Sequence, residues 1–570
     1  MDKELIGYIK ENELSSFNRA KTQIKSNGNS IFKTKDAKSV YTRTLNKLSE
    51  NFNFSDTSNL FSFFDFTEDI KVIKKRQDFF KTIEKTDNRF LKDLRPLKKT
   101  WKPKYGILVV TEDETTLTEL KKLNCPVQYI SSQYDIEGLD NYDIVQVIDC
   151  EQFIPFLEQL PQTVFLNSLD DVYLERYLEK LSEWIENINL LKNNPTNPLI
   201  SSIVNELLPL LELINEKSGK VITRKEVEEA IENINKDIEL SLKEMSISGL
   251  SLFSMMSKGK LPPEIDKIIN ENIKKSNLPL EIFHQNIPVT IDEQALEILT
   301  KKQNANIHTS LAEEIKKHSK DLRQIPNKLR LLENNLILFD FLSGISNLLQ
   351  IKEYPQNSEE LSFTESENLF LDSPQLISFH LTPDNRCSIL TGANSGGKTT
   401  LLEHIIQLIT VFQIGLPSKD TKMPIFTDVY YFAKNKGMFG KGAFENLLSQ
   451  MDKIKPGKKT LILADEIESV TEPGVAGKII SATAEFFIDK GCFLVIATHL
   501  GQEIQKSLPV YARVDGIEAK GLNEYYELIV DHNPVIGKLA SSTPELIVEK
   551  MANTEKTPYF NYLYQKIKKK

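Results

Sequence analysis

The sequence predicts a P-loop α/β domain in its carboxyl-terminal part, joined to a long helical region and a small α/β module. Three observations carry that expectation. A short apolar run enters a glycine-rich loop at residues 387–400. Apolar residues recur at helical spacing through residues 170–350, and short apolar runs alternate with polar helical stretches between residues 103 and 168. With 570 residues, the chain is too long for one core. Hydrophobic residues at 40% and charged residues at 26% fit a folded globular chain and exclude wholesale disorder. Glycine, 23 residues in 570, falls below the usual ~7% and leans toward helix.

The first hundred residues read as helical, with an aromatic cluster at residues 60–66 that fits core packing. The pattern changes at Trp101-Lys102-Pro103. Ile107-Leu108-Val109-Val110 is a run of strand type, residues 112–122 are helical, and Val127-Gln128-Tyr129-Ile130 forms the next strand. Residues 144–148 and 163–166 continue the alternation. This module has no glycine-rich phosphate loop, so its expected role is interaction or spacing. Helical periodicity then dominates. Leu174, Leu178, Leu181, Ile185 and Ile188 step by four and three, and so do Val227, Ile231, Ile234, Ile238, Leu242 and Met245. Residues 316–330 and the end of the chain are basic. A solvated helix face and a disordered end account for them, with contact to nucleic-acid phosphate as the alternative.

Charge and sulfur narrow the class further. A net charge of −9 excludes coating of nucleic acid through bulk charge, but leaves room for a local basic surface. Cys125, Cys150, Cys387 and Cys492 are far apart, which excludes a disulfide framework or a sequence-local zinc site and suits a reducing compartment. The opening Met1-Asp2-Lys3-Glu4 lacks the apolar stretch of a signal peptide. Residues 401–416, the most apolar long run, contain Glu403, His404 and Gln407 and so predict a buried helix. The expectation is a cytoplasmic protein with no membrane partner.

The chemistry is concentrated in three strand ends. Ser388-Ile389-Leu390-Thr391 runs into Gly392-Ala393-Asn394-Ser395-Gly396-Gly397-Lys398-Thr399-Thr400, and a helical stretch comes next: strand, G-x-x-x-x-G-K-T, helix. The glycines let successive backbone N–H groups face phosphate oxygens, and the helix presents its positive end to the same anion. Lys398 is placed to reach the β- and γ-phosphates of ATP, and the Thr399 hydroxyl to ligate Mg²⁺. Sixty-seven residues beyond Lys398, the apolar run Thr460-Leu461-Ile462-Leu463-Ala464 ends in Asp465-Glu466. Asp465 is a second candidate for Mg²⁺, and Glu466 for the general base that activates water. A third run, residues 493–497, ends in Thr498-His499, whose imidazole is a candidate for sensing the γ-phosphate and positioning water.

The loop Thr391-Gly-Ala-Asn-Ser-Gly-Gly-Lys-Thr-Thr400 resembles the T-G-x-N-x-G-G-K-[ST]-[ST] loop of MutS-family ATPases. Asp465-Glu466-Ile467, Thr471 and Ala497-Thr498-His499 come in the order of that family's later motifs. Phe426-Thr427-Asp428-Val429 is similar to the segment before its ABC-type signature, and Gly440-Lys441-Gly442-Ala443-Phe444-Glu445 occupies the signature position. Ile536-Gly537-Lys538-Leu539-Ala540 and Thr543-Pro544-Glu545 resemble the dimer-forming tail. The resemblance implies a homodimer in which Gly440, Lys441 and Gly442 of one subunit meet the nucleotide held by the other. It implies an N-terminal helical core segment at 1–102, the module at 103–168, helical core, lever and clamp at 169–350, the ABC-type ATPase domain at 351–532 and a dimerisation tail at 533–570.

Two departures refine this expectation. Gly442-Ala443 stands where the family usually has a serine or threonine, which implies slow turnover. Residues 468–474 replace the G-x-G-T stretch of mismatch-repair MutS, so the chain looks closer to a branch found in archaea and related to the second bacterial MutS group. Neither the mismatch-reading domain nor a terminal Smr nuclease domain is expected. The function implied is an ATP-dependent dimeric clamp on branched or distorted DNA in repair or recombination. The alternatives are a ribosome-associated ATPase acting on stalled or collided ribosomes and a slow-ATPase structural scaffold.

Overall fold

Two parallel sheets organise the chain, each in its own folding unit. The computed structural model describes residues 1–17, 31–215, 221–243, 261–346, 348–392, 396–434, 442–466, 473–540 and 544–568. One unit gathers Arg95–Asn193 with Ser201–Leu331, and the other gathers Met1–Leu94, Asn194–Ile200 and Leu332–Lys570.

In the first of these, β1 (Ile107–Thr111), β2 (Val127–Tyr129), β3 (Ile144–Val147) and β4 (Thr163–Phe165) form a parallel sheet in the order β2-β1-β3-β4. Ile107 and Val109 pack into one core with Leu120 and Ile144, while Leu108 and Val110 pack into another with Ile130 and Val145. Because both faces are covered, the strand reads as an unbroken apolar run rather than as an alternation. The helices Arg224–Lys243 and Pro263–Lys275 bury Val227, Ile234, Ile238, Ile265, Ile269 and Ile273 in a common core. A small hairpin of β5 (Phe283–His284) and β6 (Thr290–Ile291) adds Phe283 to the same core. The four-and-three spacing places these isoleucines on one helix face, which is the face they bury.

The other unit is built on six strands. β7 (Gln356–Asn357), β8 (Leu361–Ser366), β9 (Ile377–Leu381) and β11 (Thr421–Met423) make a small flanking sheet. The main sheet comprises β10 (Cys387–Gly392), β12 (Asp428–Phe432), β13 (Thr460–Asp465), β14 (Phe493–Ala497), β15 (Ala512–Leu522) and β16 (Leu528–Ile536), in the order β12-β13-β14-β10-β15-β16. All but β16 run parallel to their neighbours. β13 and β14 are buried along their whole length, and the helix Lys398–Ile414 after β10 is buried through most of its residues. Two helices, Pro544–Thr554 and Pro558–Lys568, come after β16.

The N-terminal residues belong to this unit and are not helical throughout. Besides the helices Asp2–Glu11, Lys35–Leu48 and Ile70–Lys81, Phe32 forms a parallel bridge with Val429 of β12. Lys33 N–H donates to Val429 O at 2.9 Å, and Val429 N–H donates to Ile31 O at 2.8 Å. The aromatic cluster is core: Phe61, Phe64 and Phe80 are buried, and Phe61 meets Phe341 edge-on at 5.4 Å. Among the described residues no helix is long and apolar enough to cross a membrane.

Candidate active site

Three parallel strands deliver the candidate site to one edge of the sheet, as expected where ligands bind at the carboxyl ends of strands. β10 ends at Gly392, whose φ of +128° suits glycine. A Cβ there would lie 2.4 Å from Ile517 O on β15, so the loop leaves the sheet too close to its neighbour for any side chain. Gly397, at φ +91°, stands immediately before the helix Lys398–Ile414. A Cβ on it would lie 2.9 Å from His532 Nδ1. The first turn of that helix holds Lys398, which is buried and donates from Nζ to Gly392 O at 2.5 Å. The lysine side chain therefore reaches back across the loop to its first residue.

Thr399 Oγ1 donates to Asp465 Oδ2 at 2.5 Å, joining the loop to the end of β13. Asp465 is buried, and its Oδ1 has no hydrogen-bond partner. Burial raises its carboxyl above the ordinary range, the Thr399 hydrogen bond lowers it, and the neighbouring Glu466 charge raises it again. A buried carboxylate oxygen with no donor, beside a hydroxyl, is the donor set of a hard cation. Thr399 and Asp465 are the residues that would hold Mg²⁺ there. Among the described residues no cluster of three His, Cys, Asp or Glu side chains exists to hold a metal, so its other oxygen ligands would come from phosphate and water.

Glu466 adopts φ +47°, a left-handed conformation uncommon for glutamate and typical of functional positions. Its N–H donates to Ala497 O at 2.8 Å, so its backbone is tied to the end of β14. Its Oε1 lies 2.8 Å from His499 Nε2, and its Oε2 forms an ion pair with Lys434. Burial raises the carboxyl, but the hydrogen bonds and charges of Lys434 and His499 outweigh it and hold Glu466 below its ordinary range. A carboxylate held ionised accepts only, so the imidazole donates from Nε2.

The structure thus brings together Gly392, Gly396, Gly397, Lys398, Thr399, Asp465, Glu466 and His499. Thr400 contributes its carbonyl, which accepts from Asn368 Nδ2 at 3.2 Å. Ala393, Asn394, Ser395, Gly440 and Lys441 lie outside the described residues, and Gly442 opens the helix Gly442–Asp452. Two residues at the site carry no local sequence signal. Lys434 lies just beyond β12, and His532 on β16 lies with Nδ1 2.9 Å from Gly396 O.

The chain is similar to the DNA-binding protein MutS2 of Pyrococcus furiosus, at 29% identity over 94% of this chain and 99% of that one. The likeness to MutS proteins thus runs over nearly the whole chain. The endonuclease MutS2 of Borreliella burgdorferi is 24% identical over 53% of this chain and 41% of its own length. The DNA mismatch repair protein MutS of Petrotoga mobilis is 23% identical over 68% of this chain and 49% of its own length. The chain therefore spans nearly all of the archaeal MutS relative and less than half of each of these bacterial ones. No family model matches it.

Proposed function

We propose that the chain is an ATP-hydrolysing homodimeric clamp on branched or otherwise distorted DNA, with hydrolysis resetting the clamp. The observation that carries the catalytic half is the meeting of Lys398, the Thr399–Asp465 pair and the Glu466–His499 pair at one sheet edge. Lys398 exchanges its bond to the Gly392 carbonyl for the β- and γ-phosphate oxygens. Mg²⁺, when bound by Thr399 and Asp465, supplies neutralisation of the phosphate charge. Glu466 takes the proton of the attacking water, and His499 orients Glu466 and the water. The DNA half rests on the likeness to the DNA-binding protein MutS2 of Pyrococcus furiosus.

The test is the steady-state ATPase rate of the purified chain with linear duplex, mismatched duplex, four-way junction and ribosomes. Stimulation chiefly by the junction is expected. Stimulation by ribosomes alone overturns the DNA reading and leaves the ATP site in place. No hydrolysis under any condition overturns the catalytic half.

A further inference from the structure

Strands β12 and β13 run parallel, with Phe432 opposite Ala464. Lys434 and Glu466 each stand two residues further along. The pairing of the strands therefore leaves both residues at the sheet's carboxyl edge, where the side chains meet as an ion pair. The N–H of Ala433, next to Lys434, donates to Asp36 Oδ2 at 3.1 Å, which anchors the main chain at this point. Beyond that anchor the Lys434 side chain is 43% exposed, a compact ammonium on a four-carbon stem with water on one side.

Both oxygens of Glu466 are engaged, Oε1 by His499 and Oε2 by Lys434. A general base needs an oxygen open to the proton it accepts. His499 comes from the end of β14, where the Glu466 N–H is itself bound to Ala497 O, so its position is set by the same strand pairing that fixes Glu466. Lys434 is the partner whose charge can be drawn elsewhere. The anion that the P-loop brings to this edge is the terminal phosphate of ATP, and an ammonium beside it has a stronger partner than a single carboxylate.

We propose that Lys434 is a latch on the general base, a positioning residue that orients Glu466 but closes Oε2 to water until the terminal phosphate draws the ammonium away. The proposal rests on the reading of Glu466 as base. With Oε2 open, a water proton passes to it, the water oxygen bonds to the γ-phosphorus, and the bond from that phosphorus to the β–γ bridging oxygen breaks, which releases ADP. No other reactant is required. Lys434 thereby makes the base available only when the nucleotide carries its third phosphate.

The test compares Lys434→Met, Lys434→Gln and Lys434→Arg with wild type and with Glu466→Gln, by single-turnover hydrolysis with saturating enzyme in excess of ATP and by steady-state KM. The two neutral variants are expected to raise the hydrolysis rate about two- to fivefold, the scale of releasing a half-exposed ion pair, and to raise KM by a similar factor because the ammonium no longer meets the terminal phosphate. Lys434→Arg is expected to return the rate to wild type or below. The double variant Lys434→Met/Glu466→Gln is expected to be as slow as Glu466→Gln. A rate at or below wild type in both neutral variants overturns the latch and leaves the base assignment standing. A rise that survives in the double variant does the same. A Glu466→Gln chain as fast as wild type overturns the base assignment and the latch with it, and a wild type without hydrolysis overturns the whole catalytic reading.

Discussion

β1 and β10 are both interior strands of parallel sheets, and each hands the chain to a helix at the sheet's carboxyl edge. The acids at the two edges have different fates. Beyond β1 they close loops. Glu112 Oε1 accepts from the N–H groups of Glu151 and Gln152 at 2.7 and 3.2 Å. Asp113 accepts from Thr116 N–H and caps the helix Glu114–Lys122, and Asp149 accepts from Thr116 Oγ1 at 2.6 Å. At the edge of the larger sheet the acids are left with work to do. Asp465 Oδ1 has no donor, and the Glu466 carboxylate is held by two side chains rather than by loop N–H groups. Architecture alone does not make a site. The site lies where carboxylates are placed in a sheet edge without being consumed by its loops.

Glu466→Gln has the largest expected effect. It keeps the shape and the left-handed backbone and removes the base, so hydrolysis should fall by roughly 10²-fold or more while ATP binding persists. Rapid-quench hydrolysis beside equilibrium nucleotide binding checks it. A loss of binding equal to the loss of hydrolysis would mean that Glu466 only supports the loop.

The legibility of the site in local sequence has a physical boundary. β10, β13 and β14 are covered on both faces, so each is an apolar run, and the first polar residue after each run marks the sheet edge. The places of Lys398, Asp465, Glu466 and His499 can be read from that pattern. Lys434 and His532 cannot, because each reaches the site through strand pairing, Lys434 two residues past the end of β12 where it pairs with β13, and His532 on a strand returning antiparallel beside β15. Phe32 sits in a stretch of helical pattern and becomes strand-like only by meeting Val429 of β12. A boundary at residue 532 falls inside β16, whose Asp531, His532 and Pro534 break the apolar pattern that would announce a strand.

Glu175 sharpens the comparison from the other side, because it is an acid that the smaller sheet's unit buries without a loop to close. It is fully buried, and neither carboxylate oxygen has a hydrogen-bond partner of good geometry. Burial pushes it from 4.5 up to about 7, against weaker opposing pulls from Gln146 and Arg176. The folded chain thus holds this proton more tightly than the unfolded one. Its stabilising contribution is complete below about 4.5 and is lost as pH rises through about 7. The swing is roughly 3 kcal/mol at 1.36 kcal/mol per unit. Glu175→Gln should flatten that part of the stability–pH profile and leave the chain more stable than wild type above pH 7 by urea unfolding. Two parallel profiles would rule out Glu175 as the titrating group.

The sheet edges give the finest contrast. β2 ends the smaller sheet as a strand of three residues with no buried position, short enough to resist edge pairing. β12 would be a longer and more apolar edge, and residues 31–34 cover it. Thr34 fastens the cover: its Oγ1 donates to Tyr431 O at 2.7 Å, accepts from Tyr431 N–H at 3.0 Å, and also caps the helix Lys35–Leu48 through Ala37 N–H. Thr34→Ala removes the cap and both strand contacts while leaving every charged group of the site in place. A cost of about 1–2 kcal/mol follows from cap and hydrogen-bond loss. It should appear as faster amide exchange at Val429 and Tyr431, with β14 unchanged. Unaltered exchange at those two amides would show that the N-terminal segment rests on β12 without holding it. The chain beside Lys434 would then be held by the Ala433–Asp36 bond and by the pairing of β12 with β13.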